Sequence, residues 1–170
     1  MKKNDNIELS RLELFLRSKI QHYNEQKYWK YRNKVLHYNG KHKIINLFRL
    51  FYLKKSDAFN NASTGIHLGY GAIFSSIPSL PHGLYGIVVS HNARVGSNCT
   101  IYHGVTIGEG RGGAPTIGNN CILGAGCKII GKITIGDNVK IAPGLTIMRD
   151  LPDNVIVLPG ENSIFIKELK

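Results

Sequence analysis

A large apolar residue returns at every sixth position from Leu68 to Ile147. The series runs Leu68, Phe74, Leu80, then Val89, Val95, Ile101, Ile107, then Ile117, Leu123, Ile129, Ile135, Ile141, Ile147. Two longer steps interrupt it, Leu80 to Val89 and Ile107 to Ile117, and both read as loops extruded between regular turns. A period of six does not match the 3.6-residue turn of a helix, which would scatter these side chains around its circumference. Six residues do make one short strand plus a corner, and three such units close a triangular coil. The position four after each anchor is also small or apolar: Ala93, Cys99, Val105, Cys121, Cys127, Ile133, Val139, Leu145, Leu151. Each strand therefore turns two alternate side chains inward. Gly96, Gly108, Gly118, Gly124 and Gly136 follow their anchors directly, where the chain turns and a Cβ would crowd it. The pattern predicts a mainly β chain coiled into a parallel β-helix.

The segment ahead of this series has a different rhythm. Leu12, Phe15, Leu16, Ile20 and Tyr23 form one helical stripe, Asn39-Gly40 interrupts the chain, and Ile44, Leu47, Phe48, Phe51 and Tyr52 form a second. The division expected is a basic α-helical leader over 1–60, a β-helical domain over 61–160 and a C-terminal extension over 161–170. Each stripe is expected to pack on the first coil or on the same helices of a neighbouring subunit, because an uncapped β-helix end exposes backbone and core.

Charge sharpens that division. Of the net +11, residues 1–60 carry 14 Lys and Arg against 5 Asp and Glu, and residues 61–170 carry 8 against 6. The basic helices offer an alternative use, peripheral contact with an anionic membrane through residues 1–60. No nucleic-acid-binding motif accompanies the charge, so no nucleic-acid partner is expected. Neither an apolar run long enough to span a bilayer nor a signal-peptide core is present, and a cytoplasmic location is expected. Cys99, Cys121 and Cys127 all fall on inward positions, which makes them small core residues rather than metal ligands, and no metal is expected.

Stacking coils by their anchors puts Leu80, Ile101, Leu123 and Ile141 on one face. The residues two beyond them form a column, His82, His103, Ala125, Pro143. Adjacent strands lie about 4.8 Å apart, so His82 and His103 should be one rung from each other. Beside them the chain leaves its period at Gly83-Leu84-Tyr85-Gly86, and again at Gly108-Glu109-Gly110-Arg111-Gly112-Gly113-Ala114-Pro115, read as a mobile loop. Irregular loops on a rigid scaffold are where function concentrates.

Leu80-Pro81-His82-Gly83-Leu84-Tyr85-Gly86-Ile87-Val88-Val89, followed by Tyr102-His103-Gly104-Val105-Thr106-Ile107-Gly108, resembles the serine acetyltransferase branch of the hexapeptide-repeat acyltransferases. The likeness continues through Gly113-Ala114-Pro115-Thr116-Ile117-Gly118, Leu123-Gly124-Ala125-Gly126-Cys127-Lys128-Ile129-Ile130-Gly131 and Asp150-Leu151-Pro152-Asp153-Asn154. The resemblance implies a left-handed parallel β-helix, assembled as a homotrimer that completes the site with a neighbour's loop. It implies acetyl-CoA as co-substrate, with His82 as the base that takes a proton from the acceptor hydroxyl. It also implies a CoA groove along Gly108, Ala125, Gly126 and Pro143, with Arg149 toward the phosphates and Lys128 and Lys140 as further candidates. His103, Tyr85 and Glu109 fall on the acceptor side. The glycine-rich turns are expected to offer backbone N–H donors to the developing oxyanion.

Two departures bear on chemistry. The carboxylate that orients the base in this branch is replaced by His67, so His67 is expected to fix the His82 tautomer, with Glu109 of an adjacent subunit as a substitute. The acidic residue beside the base and the Arg-His pair ahead of the loop proline are replaced by Pro81 and Gly113-Ala114, which removes an amino-acid clamp. These features favour O-acetylation of a sugar hydroxyl in capsular or exopolysaccharide synthesis. Serine O-acetylation for cysteine biosynthesis, a non-catalytic hexapeptide scaffold and a zinc-dependent carbonic anhydrase are the alternatives.

Overall fold

The computed structural model describes residues 22–160 and 164–168. The stripe Leu12, Phe15, Leu16, Ile20 lies outside the described residues. From Ser63 onward the chain winds into a parallel β-solenoid with three faces. On face one, β4 (Val88–Val89), β7 (Thr106–Gly108), β10 (Lys128–Ile130) and β13 (Thr146–Ile147) stack Val89 on Ile107, Ile129 and Ile147 in turn. On face two, β3 (Ile73–Phe74), β5 (Arg94–Val95), β8 (Thr116–Ile117) and β11 (Thr134–Ile135) align Phe74, Val95, Ile117 and Ile135. Face three holds β6 (Thr100–Ile101), β9 (Ile122–Leu123), β12 (Lys140–Ile141) and β14 (Val155–Pro159), aligning Ile101, Leu123, Ile141 and Val157. Antiparallel to β14 runs β15 (Ile164–Glu168), so part of the C-terminal extension is a strand.

Every anchor from Val89 to Ile147 is buried, as are Ala93, Cys99, Val105, Cys121, Cys127 and Val139 between them. Burial pushes the Cys127 thiol up to about 12, as expected of a thiol held in a dry core. At the corner joining faces two and three, Asn98, Asn120, Asn138 and Asn154 adopt left-handed backbone with φ of 56 to 58°. Their amides form a ladder, with Asn120 Nδ2 donating to Asn138 Oδ1 at 3.1 Å and Asn138 Nδ2 to Asn154 Oδ1 at 2.8 Å. Asparagine, not the glycine after each anchor, thus makes the left-handed turn. Gly124 and Gly136 are required for coil spacing instead: a Cβ would lie 2.6 Å from Ile141 O and from Asp153 N of the next coil respectively.

Both ends of the sixfold series differ from expectation. Leu68 is not an anchor. It sits in the turn of an antiparallel hairpin, β1 (Ile66–His67) with β2 (Tyr70–Gly71), while a bridge from Ser63 to Val88 puts Thr64 opposite Val89. The place is polar because it faces the helical cap. At the other end Leu151 bridges to Ile135 and takes an anchor place itself, since the last coil is shortened.

The cap consists of α1 (Glu25–Leu36), whose N–H at Lys27 is accepted by the Asn24 side chain, and α2 (Lys43–Phe59). Tyr28 donates its hydroxyl to Asp57 Oδ1 at 2.5 Å and lies 2.6 Å from Thr64 Oγ1. Arg32 donates to Thr64 O and Ala72 O at 3.1 and 2.6 Å, its guanidinium lying against the Trp29 and Phe74 rings. Burial raises the Asp57 carboxyl and lowers Arg32 to about 10, so the bonds made here offset a desolvation cost. Of the two packings expected for the stripe on α2, the one on the chain's own first coil is not made. The inward face of the helix is Asn46, Leu53, Ser56 and Asp57, while Ile44, Leu47, Phe48 and Phe51 are exposed.

Ile135→Ala is expected to cost about 2–5 kcal/mol, and Lys132→Ala to stay within about 0.5 kcal/mol of neutral. Asn120→Ala, which keeps a Cβ in left-handed backbone without the ladder bonds, should cost about 1–2 kcal/mol, more than Asn120→Gly. Denaturant midpoints of the four variants check the ordering, and equal midpoints for Ile135→Ala and Lys132→Ala would refute the register.

Candidate active site

The corner from face three to face one is where the chain first breaks its period. Leu80 is in line with Ile101 through the Ser79–Thr100 bridge, but Ile87 rather than Leu84 precedes the next strand, so an extra turn is extruded between them. Leu84 is buried against the cap and anchors that turn, leaving His82 and Tyr85 exposed. The inter-coil bonds Gly104 N to Tyr85 O, Gly126 N to His103 O and Gly144 N to Ala125 O show the rung order: Tyr85, His103, Ala125, Pro143. His82 leans from the extruded turn onto this column. Its Nδ1 lies 2.5 Å from Nδ1 of His103, with ring centroids 4.7 Å apart, and the Tyr102 ring stands edge-on to it at 5.7 Å.

Two Nδ1 atoms within bonding distance share a proton, one donating and the other accepting. If His82 holds it, its Nε2 is an unprotonated acceptor aimed away from His103, the form a general base needs. Tyr102, which the sequence did not single out, completes the setting; its position just before His103 was the available signal.

Below the histidines the corner is bare. Gly126 and Gly144 take left-handed backbone at φ of 68 and 74°, and a Cβ on either would meet nothing within 4 Å. Ala125 and Pro143 continue the shallow strip. The N–H groups of Gly104, Gly126 and Gly144 bond to the preceding coil, so these three are not free oxyanion donors, contrary to expectation.

Other expected site residues lie elsewhere. His67 stacks on Tyr70 at 4.7 Å and meets His91 edge-on at 5.8 Å, at the corner from face one to face two. Among the described residues no hydrogen bond or ring contact joins it to His82, whose ring partners are His103 and Tyr102. Burial, then Lys54 and His91, lower the His67 imidazole. Glu109 is on that same corner, accepting from Ser90 Oγ at 3.2 Å and Asn92 Nδ2 at 3.0 Å, and the loop beyond it is closed by paired bonds between Gly110 and Gly113. Arg149 also follows face one, Gly108 ends β7, and Lys140 is exposed on face three. Within one chain, then, the expected CoA residues are split between two corners and face three. No cluster of three potential metal ligands occurs among the described residues.

Residues 114–149 match the bacterial transferase hexapeptide (six repeats), and residues 86–110 match the hexapeptide repeat of succinyl-transferase. The serine acetyltransferase of Synechococcus elongatus is 40% identical over 103 residues, covering 57% of this chain and 42% of its own. That of Helicobacter pylori strain 26695 is 40% identical over 94 residues, covering 52% and 54%. Among solved structures, the Neisseria gonorrhoeae serine acetyltransferase in complex with serine superposes with a TM-score of 0.59 at 25% identity, covering 85% of this chain and 55% of that one. The solenoid thus carries the hexapeptide repeats of bacterial transferases, and over it the chain is similar to serine acetyltransferases. The chain spans about half the length of the curated relatives it matches. The solenoid is accordingly the left-handed parallel β-helix of these hexapeptide-repeat proteins.

¹⁵N chemical shifts of the imidazoles are expected to show one Nδ1-protonated histidine in the wild type. Replacing His103 by Ala should return His82 to the Nε2-protonated form favoured in water. An unchanged His82 signal would show that the pair is not bonded in solution.

Proposed function

We propose that the protein is an acetyl-CoA-dependent O-acetyltransferase with His82 as general base and His103 as its positioning partner. The observation that carries the reading is the Nδ1 contact of the two histidines beside a bare corner strip. In the reaction His82 Nε2 takes the proton of the acceptor hydroxyl as that oxygen attacks the thioester carbonyl. The tetrahedral adduct then expels the CoA sulfur, which receives the proton from His82. A thiol with an ordinary pKa of about 8.5 leaves readily, so no stronger acid is required. Ala125, Gly126, Pro143 and Gly144 leave room for the pantetheine arm. Gly108 and Arg149 would serve CoA from a second corner, in a homotrimer where one subunit's face-one edge meets its neighbour's histidine corner, with Lys140 reaching the phosphates from face three. Such an assembly would also carry Glu109 toward His82.

L-serine is the acceptor that the relatives' names favour, ahead of the saccharide expected from the sequence. A specific observation keeps the saccharide as a second reading: within one chain the histidine corner, residues 81–87, 102–105, 124–127 and 142–145, holds no carboxylate and no Arg or Lys. A serine ammonium would find no carboxylate, and a serine carboxylate no Arg or Lys, within that chain's own corner.

Thiol release from acetyl-CoA, followed with L-serine and separately with nucleotide sugars and oligosaccharides, separates the two. His82→Ala should lower transfer about 10²–10⁴-fold with CoA binding nearly unchanged, and His67→Ala should cost far less. Full activity of His82→Ala would refute the assignment, and transfer to neither acceptor class would leave the scaffold reading in its place.

A further inference from the structure

The second helix of the cap is built inside out. At 3.6 residues per turn, Asn46, Leu53, Ser56 and Asp57 share the face packed on the rest of the cap. On the opposite side Ile44, Leu47, Phe48 and Phe51 are 71, 45, 71 and 67% exposed, and Ile45 and Phe59 are exposed beside them. The first four line a shallow groove of about 440 Å³. Isolated apolar side chains on a surface are ordinary, but a continuous stripe of Ile, Leu and Phe along one helix marks a contact.

The charges around the stripe identify that contact. Lys41, Lys43, Lys54 and Lys55 are exposed, and half-buried Arg49 lies on the same helix. The only carboxylate on α2, Asp57, is buried on the far side and holds Tyr28. Lys27 of α1, over the Tyr52 ring, adds to the basic surround. A second copy laid against this face would oppose like charges to like, whereas an anionic bilayer accepts the apolar stripe between its headgroups and pairs with the lysines. No helix among the described residues is long and apolar enough to cross a membrane, so the fitting geometry is a helix lying in the interface.

We propose that α2 docks the protein on an anionic phospholipid bilayer, burying Ile44, Leu47, Phe48 and Phe51 with Lys43, Lys54 and Lys55 on the headgroups. The contact differs from a purely basic surface in needing both the apolar and the charged residues. It does not depend on the acetyl-transfer reading.

Co-sedimentation of the full chain with phosphatidylcholine vesicles, with and without phosphatidylglycerol, tests it. Binding should need the anionic lipid, fall severalfold on raising salt to about 0.5 M, and fall on the order of tenfold or more in Lys54→Glu/Lys55→Glu. Phe48→Ser/Phe51→Ser should reduce it similarly, and because both rings are exposed the circular dichroism and thermal midpoint should hold. The lysine variant keeps the test informative if the phenylalanine variant loses its fold. Equal binding to both vesicle types, or binding unaffected by either double variant, would overturn the proposal. So would a wild type that ignores vesicles while Phe48→Ser/Phe51→Ser lowers its mass in light scattering, which would make the face a contact between copies.

Discussion

The structure rests on one repeated interaction, the in-register stacking of a short strand on its counterpart one coil later. Each rung bonds backbone to backbone and sets an aliphatic side chain on another, as Val89, Ile107, Ile129 and Ile147 do on face one. Neither half of that interaction stands alone, because two-residue strands have too few bonds and a lone coil buries too little. The close spacing imposes further demands on the corners. Gly124 and Gly136 are needed where the next coil's backbone presses against them, and Asn120 and Asn138 turn the chain while bonding to each other.

Such a stack has ends, and the N-terminal end is closed by polar rather than apolar means. Thr64 stands where an aliphatic anchor would have stood; Tyr28 and Asp57 bond to it and to each other, and Arg32 donates to its carbonyl. Placing this network on the inner face of α2 turns that helix's apolar side outward. The inverted helix is thus a consequence of how the solenoid is capped, and the exposed stripe follows from the buried aspartate.

The same stack gives the site its rigidity. His103 belongs to a regular rung, and Leu84 fastens the extruded turn that carries His82, so two imidazoles meet without either being buried. At the neighbouring corner His67, Tyr70 and His91 form a separate ring cluster, with Glu109 bonded to Ser90 and Asn92 nearby. Face one joins the two corners, so in an assembly of these solenoids the two sets could act on one substrate from different chains.

The sequence alone determined the sixfold register from Val89 to Ile147 and the burial of the three cysteines. Both follow from local periodicity, in which neighbours in space are fixed numbers of residues apart. The period put His82 on the rung next to His103, but Tyr85 holds that rung and His82 reaches His103 from the extruded turn. Tertiary structure decided what lies outside that period. Leu68 kept the spacing but fell into a hairpin turn, because the cap and not another coil lies above it. His67 went to another corner, since the hairpin it begins leaves the solenoid after face one rather than after face three. The glycine N–H groups of the histidine corner were taken by the preceding coil, a pairing that composition cannot reveal. The apolar stripe of α2 predicted a helix correctly but not its direction, because amphipathicity tells which residues share a side and only packing tells which side is inside.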